Sequence, residues 1–245
     1  MIDHVDGLVL FDTGQDRASV TDPGYFPKGV AGLLYRRLAQ FAIGEDETLA
    51  ARLRALGKDV GDVRLAVLSH LHQDHIGGLR ELTGAEVVVS ATEWASLSEP
   101  GAELNGLLRQ HIDLPGLRRV EVDPASTDDP TLLPFVRAHD LMGDGSLMLL
   151  PTPGHTAGSL SLFVRGSRSR PPVLLVGDLT YDIERLDRGA VPGVGNRREL
   201  RRTTAMVDAL RARHPGLVVA AAHDPTAAGR LQAALGQGLT ATQRT

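Results

Sequence analysis

The stretch Ser69-His70-Leu71-His72-Gln73-Asp74-His75 gathers three imidazoles and a carboxylate within a single short loop. With nine histidines in 245 residues, the spacing His-x-His-x-Asp-His arises by chance in about one such chain in a thousand. The spacing therefore carries information. Neutral imidazole and carboxylate are nitrogen and oxygen donors that suit zinc and similar divalent ions. In an extended segment His70, His72 and Asp74 would face one side, with His75 facing elsewhere. One tetrahedral ion cannot easily use four such close neighbours, so the pattern suggests two ions, each needing more ligands from downstream. Three candidates stand where apolar runs end: His155 in the Gly/Pro-shaped loop after Leu150, Asp178 after Val173–Gly177, and His223 after Leu217–Ala222. In layered α/β proteins such strand ends collect on one edge, where sites form.

Alternating runs supply those edges. Gly7–Phe11, Leu65–Leu68, Glu86–Val89, Ser146–Leu150, Ser159–Val164, Val173–Val176 and Leu217–Ala221 read as strands. Thr48–Leu56 reads as a helix stopped by Gly57, and Asn196 with Glu199 has the form of a capping box opening a helix toward Arg213. Asp123–Asp129 and Gly166–Pro172 are turn-rich and read as exposed loops. Strands alternating with helices give α/β layering, and no short repeat period supports a solenoid. The runs Gly7–Asp12 and Val173–Asp178, each an apolar strand ending in Asp, form a faint internal echo.

Composition bounds the rest. The 245 residues are 42% apolar and 23% charged, which fits one soluble domain spanning 1–245 and excludes collagen-like, coiled-coil and disordered chains. No cysteine is present, so neither a disulfide framework nor a thiolate metal site exists. A net charge of −4, with arginines scattered in short runs, argues against a nucleic-acid partner. The acidic N-terminus and short apolar runs lead to the expectation of a cytoplasmic protein without a signal peptide or membrane span.

From Asp12-Thr13-Gly14 to His223 the sequence resembles the metallo-β-lactamase fold superfamily, whose ligand pattern is met by His70, His72, Asp74, His75, His155, Asp178 and His223. The resemblance implies an αββα sandwich of two similar halves with a dinuclear centre. His70, His72 and His155 would hold one ion, Asp74, His75 and His223 the other, and Asp178 would bridge. Within the superfamily the chain looks most like N-acyl-homoserine lactonases, through Tyr181 three residues after Asp178 and through the run Met142–Thr156. That likeness implies a quorum-quenching lactonase with two divalent ions, most naturally Zn²⁺, and a small ester or lactone substrate. A hydroxide shared by the two ions would attack the carbonyl, with Tyr181 at the oxyanion and Asp74 moving the proton.

Some readings stay open on sequence alone. Asp12 and Asp224 could orient imidazoles or simply cap turns, and Tyr181 could be an ordinary helix-start residue. The aromatic segment from Gly24 to Tyr35 could line an acyl pocket, although packing is the better reading. The lactonases usually have some tens of residues before the strand that ends in Asp-Thr-Gly, so the expectation is either a shortened start or a first half of the sandwich that has lost an edge. Rival substrates are a glutathione thioester, which would call for a basic C-terminal region where only Arg230 and Arg244 remain, or a phosphoester. A non-catalytic metal-binding protein is the rival from another class.

Overall fold

In the computed structural model, which describes residues 1–38 and 42–242, the continuous apolar runs become strands buried on both faces. The chain forms two compact units, one made of Met1–Val89 with Glu93–Glu121, the other of Ser90–Thr92 with the chain from Val122 onward.

The first unit holds a sheet of β1 (Ile2–His4), β2 (Gly7–Phe11), β3 (Val63–Val67), β4 (Glu86–Ser90) and β5 (Arg118–Val122), in that spatial order. β1 pairs antiparallel with β2, while β2–β3 and β3–β4 are parallel. Parallel neighbours need long crossovers, and the Leu49–Ala55 helix lies within the β2–β3 connection. Its N-cap is Thr48, whose hydroxyl accepts from the Ala51 amide. Leu8, Leu10, Ala66, Leu68, Leu71, Ile76, Val87 and Val89 form the core, so the apolar residues flanking the His-rich segment anchor it.

The second unit has the order β11 (Val218–Ala220), β10 (Val173–Leu175), β9 (Leu160–Val164), β8 (Leu147–Pro151), β7 (Arg137–Asp140), β6 (Ala125–Ser126). Only β10 and β11 are parallel. Leu150, Phe163, Leu174 and Val219 pack with Leu200, Val207 and Leu210 of the Arg197–Arg213 helix. Leu200, Thr203, Thr204, Val207 and Leu210 recur at helical spacing, which turns one face inward.

Several expectations are corrected. β1 covers β2, so the first sheet has not lost that edge. β1, β5 and β7 were not foreseen, because His4, Arg118, Glu121 and Arg137 interrupt any apolar run; their backbone pairing, not their side chains, makes them strands. Within 123–129, expected to be loop, Ala125–Ser126 pairs with β7. Asn196 accepts from the Arg198 and Glu199 amides at 3.1 and 3.3 Å, but its own N–H donates to Gly154 O instead of closing a capping box. Tyr25 and Phe26 pack with Leu108 and Tyr35 in a small cluster of their own. No helix among the described residues is long and apolar enough to cross a membrane. Arg244 lies outside the described residues.

Candidate metal centre

In the first unit the donors follow β3. Leu68 extends the β3–β4 pairing by donating to Val88 O, and the chain then turns, with the His75 amide donating to His72 O at 3.0 Å. The segment is therefore not extended, and His75 does not point away from its neighbours: its ring lies 4.0 Å from that of His70. The preceding strand β2 ends at Asp12, a non-glycine residue at φ +59° whose amide donates to Val67 O. That left-handed turn aims the Asp12 carboxylate across the parallel pair. Oδ1 accepts the Ser69 amide at 2.7 Å, and Oδ2 accepts both Ser69 Oγ at 2.8 Å and His75 Nδ1 at 2.9 Å. Asp12 therefore orients an imidazole as well as closing a turn.

Those contacts set the imidazole tautomers. The Ser69 hydroxyl proton goes to Asp12, so Ser69 Oγ accepts from His70 Nδ1 at 2.9 Å and His70 Nε2 carries the lone pair. His72 Nε2 donates to Asn105 O at 3.0 Å, leaving its Nδ1 lone pair. His70 Nε2 and His72 Nδ1 thus face one another at 3.1 Å. His75, donating from Nδ1, presents Nε2 toward Asp74 Oδ2 at 3.7 Å. Electron-rich atoms turned toward each other in a buried loop fit a cation.

Two supports here escape sequence reading. Glu93, fully buried, accepts the Leu71 amide at 3.1 Å and braces the residue between the two ligand-type histidines. Gly106, at φ +94°, lies so close to His72 that a Cβ would stand 2.5 Å from the ring. The Asn105-Gly106 pair, a common turn signature, was the available hint.

In the second unit three donors meet at the ends of β8, β10 and β11. The β8–β9 loop is tied by Thr152 N to Ser159 O and by Gly154 N to Thr156 O, both 2.9 Å. It is pinned from outside by Thr203 Oγ1 donating to Pro153 O at 2.8 Å and by the Asn196 amide donating to Gly154 O at 2.7 Å. Gly154 sits at φ +140° against the Leu200 backbone, room that only glycine leaves. At the other strands, Val176 N donates to Ala220 O and Ala222 N to Gly177 O, which sets Asp178 beside His223. His155 Nε2 lies 3.6 Å and His223 Nε2 3.2 Å from the same oxygen, Asp178 Oδ2. His155 and Asp178 are buried, whereas the His223 side chain is 42% exposed.

Tyr181 stands next to this group, its ring perpendicular to that of His223 with centroids 5.7 Å apart. It is not the cap of the helix that follows; Asp182 fills that role by accepting the Arg185 amide. Among the described residues the Asp224 carboxylate is engaged by groups other than an imidazole. It accepts from Thr226 N and Oγ1, Ile183 N and Arg230 Nη1, tying the start of the last helix to the Tyr181 loop. Burial pushes the Asp224 carboxyl up, but the hydrogen bonds from Thr226 and Arg230 outweigh it and hold the group well below the usual range.

Comparison with known proteins shows the family to which the chain belongs. Residues 1–223 match the Metallo-beta-lactamase superfamily, and the chain belongs to that family. Its two mixed sheets flanked by helices are those of the αββα sandwich. It is 31% identical over 236 residues to an N-acyl homoserine lactonase, AttM, of Azorhizobium caulinodans, covering 93% of this chain and 81% of that one. It is 33% identical over 238 residues to a probable metallo-hydrolase of Mycobacterium tuberculosis, covering 92% and 73%. Among solved structures, a Bacillus thuringiensis AiiA variant with N-decanoyl-L-homoserine at its active site superposes with a TM-score of 0.72 at 21% identity, covering 93% and 81%. The His and Asp clusters of the chain are of the kind that binds divalent metal.

Proposed function

We propose that this protein is a dinuclear metal hydrolase that opens the ring of N-acyl-homoserine lactones. In this reading His70, His72 and His155 hold one ion, Asp74, His75 and His223 hold the second, and Asp178 serves both, the whole chain working as one domain. The observation that carries the reading is the approach of two imidazole Nε2 atoms, from His155 and His223, to a single carboxylate oxygen of Asp178. A carboxylate shared in this way suits a bridge between two centres, whereas a structural site closes one ion with four ligands of its own. Zinc as the metal, the cytoplasm as the location, and the absence of nucleic-acid or membrane partners belong to the same proposal.

Two bound ions would polarise the ester carbonyl and lower the pKa of water toward about 7, which makes a side-chain nucleophile unnecessary. The chain's own residues supply the rest. Tyr181, whose ring lies beside that of His223, hydrogen-bonds the carbonyl oxygen through its hydroxyl as negative charge develops there. The Asp74 carboxylate, partly open to solvent, takes a proton from the attacking water and returns it to the ring oxygen as the carbon–oxygen bond breaks. The Asp12–His75 contact and the Ser69–His70 contact hold the imidazoles in the tautomers that leave their Nε2 atoms available.

The reading is tested by incubating purified protein with an N-acyl-homoserine lactone and following products by mass spectrometry. The expected product is the ring-opened acyl-homoserine, one water heavier, released with one proton per turnover. Hydrolysis of a glutathione thioester or a phosphotriester, with the lactone left intact, would replace it.

A further inference from the structure

The Arg197–Arg213 helix carries two adjacent buried threonines whose hydroxyls are used differently. Thr203 is 3% exposed and Thr204 4%. Inside a helix a threonine hydroxyl can bond back to a carbonyl one turn earlier. Thr203 instead donates to Pro153 O at 2.8 Å, in the β8–β9 loop 50 positions away. The Thr204 hydroxyl has no hydrogen-bond partner among the described residues. One of two equally buried neighbours is thus spent on the loop that carries His155.

The same helix meets that loop at backbone level. Thr203 holds Pro153 O and the Asn196 amide holds Gly154 O at 2.7 Å, so the two carbonyls just before His155 are both taken by the helix and its cap. A Cβ on Gly195 would stand 2.8 Å from His155 Cα, and one on Gly154 would stand 2.7 Å from Leu200 N. The ties inside the loop, Thr152 Oγ1 to Ser161 Oγ at 2.9 Å and Thr156 N to Ser159 Oγ at 3.1 Å, secure its two ends. Its middle is held from the helix. The Pro153 ring fixes φ, so the direction of its carbonyl sets the path of the chain into Gly154 and His155. His155 Nε2 then arrives 3.6 Å from Asp178 Oδ2.

We propose that Thr203 is a positioning residue for His155: by holding the Pro153 carbonyl it keeps the imidazole aimed at the Asp178 carboxylate, so that a divalent ion binds without first reordering the loop. The proposal rests on His155 being a metal ligand, as in the reading above, and adds the helix that presents it.

The test titrates Zn²⁺ into stripped wild type, Thr203→Val, Thr203→Ser and Thr204→Val against a fluorescent chelator, with urea midpoints of each stripped protein measured alongside. Valine keeps the branched shape of threonine and removes the hydroxyl. Thr203→Val should bind Zn²⁺ about 3- to 10-fold more weakly, the range that one buried hydrogen bond spans. Thr203→Ser should bind as the wild type does, and so should Thr204→Val, whose urea midpoint should be no lower. The visible absorption of the Co²⁺-loaded protein, which reports ligand geometry, should change in Thr203→Val and return in Thr203→Ser. If the valine variant does not fold, Thr203→Ala is read in its place. Equal Zn²⁺ affinities for the Thr203→Val and Thr204→Val proteins, or a loss that serine does not restore, would overturn the positioning role. His155→Ala separates the two claims: unchanged affinity there would overturn the ligand assignment and this proposal together, whereas weakened affinity there beside unchanged affinity in Thr203→Val would overturn this proposal alone.

Discussion

Asp12 Oδ2 and His75 Nδ1 lie 2.9 Å apart, joining the end of β2 to the last histidine of the motif after β3. The two strands are parallel neighbours, so their C-terminal ends emerge together and the contact follows from sheet topology. Because Asp12 also accepts both the amide and the hydroxyl of Ser69, one carboxylate sets the orientation of His75 directly and of His70 through Ser69.

Asp12→Ala should therefore weaken metal binding without removing a ligand. Loss of such an orienting partner typically costs about 10–100-fold in affinity or activity. Competition with a fluorescent chelator measures it; unchanged affinity would reduce Asp12 to a turn residue.

His72→Ala removes one donor of the pair facing each other at 3.1 Å, and both metal content and hydrolysis should be lost. Elemental analysis of the purified variant beside the wild type reads this directly.

Tyr181→Phe should keep the full metal content but lower kcat by on the order of 10²-fold, the usual cost of losing one oxyanion donor. An unchanged rate would take Tyr181 out of the mechanism despite its place beside His223.

Gly154→Ala should destabilise the fold, because a Cβ there meets the Leu200 backbone at 2.7 Å and φ is +140°. A cost of at least about 1–3 kcal/mol follows from the strain alone, visible as a lower urea midpoint. Since Gly154 precedes His155, metal retention should fall as well.

His111 supplies a pH test. Burial holds its folded-state pKa below the usual 6.5, so the unfolded chain binds the proton more readily. Its contribution to stability is complete above about pH 6.5 and is lost as pH falls toward the folded value. Urea midpoints should drop between pH 7 and 5, and the slope should be shallower in His111→Gln.

Much of this molecule was readable in its sequence, for physical reasons that differ by element. β2, β8 and β9 are unbroken or nearly unbroken apolar runs because they are buried on both faces, and Thr48 and Asn196 advertise helix starts through the side-chain oxygens that caps require. The ligand-type residues were legible because metal chemistry restricts residue type and spacing. The turn that brings His75 back onto His70 was not, since it depends on a backbone bond between His75 and His72. Glu93 braces Leu71 from 22 positions away, and Gly106 packs on His72 from a distant turn whose Asn-Gly signature marks a turn but not its contact with the motif. Asp224, which the sequence left open between orienting an imidazole and capping a turn, has its oxygens taken by Thr226, Ile183 and Arg230.

The central claim is that seven side chains hold a pair of ions on which hydrolysis depends. Its most direct test is to strip the protein with a chelator, add back Zn²⁺ in measured steps, and follow lactone opening at each step. The account predicts no activity in the stripped protein and recovery that reaches its plateau at two ions per chain. A stripped protein that still opens the ring, or a metal-loaded protein holding two ions that does not, would contradict it.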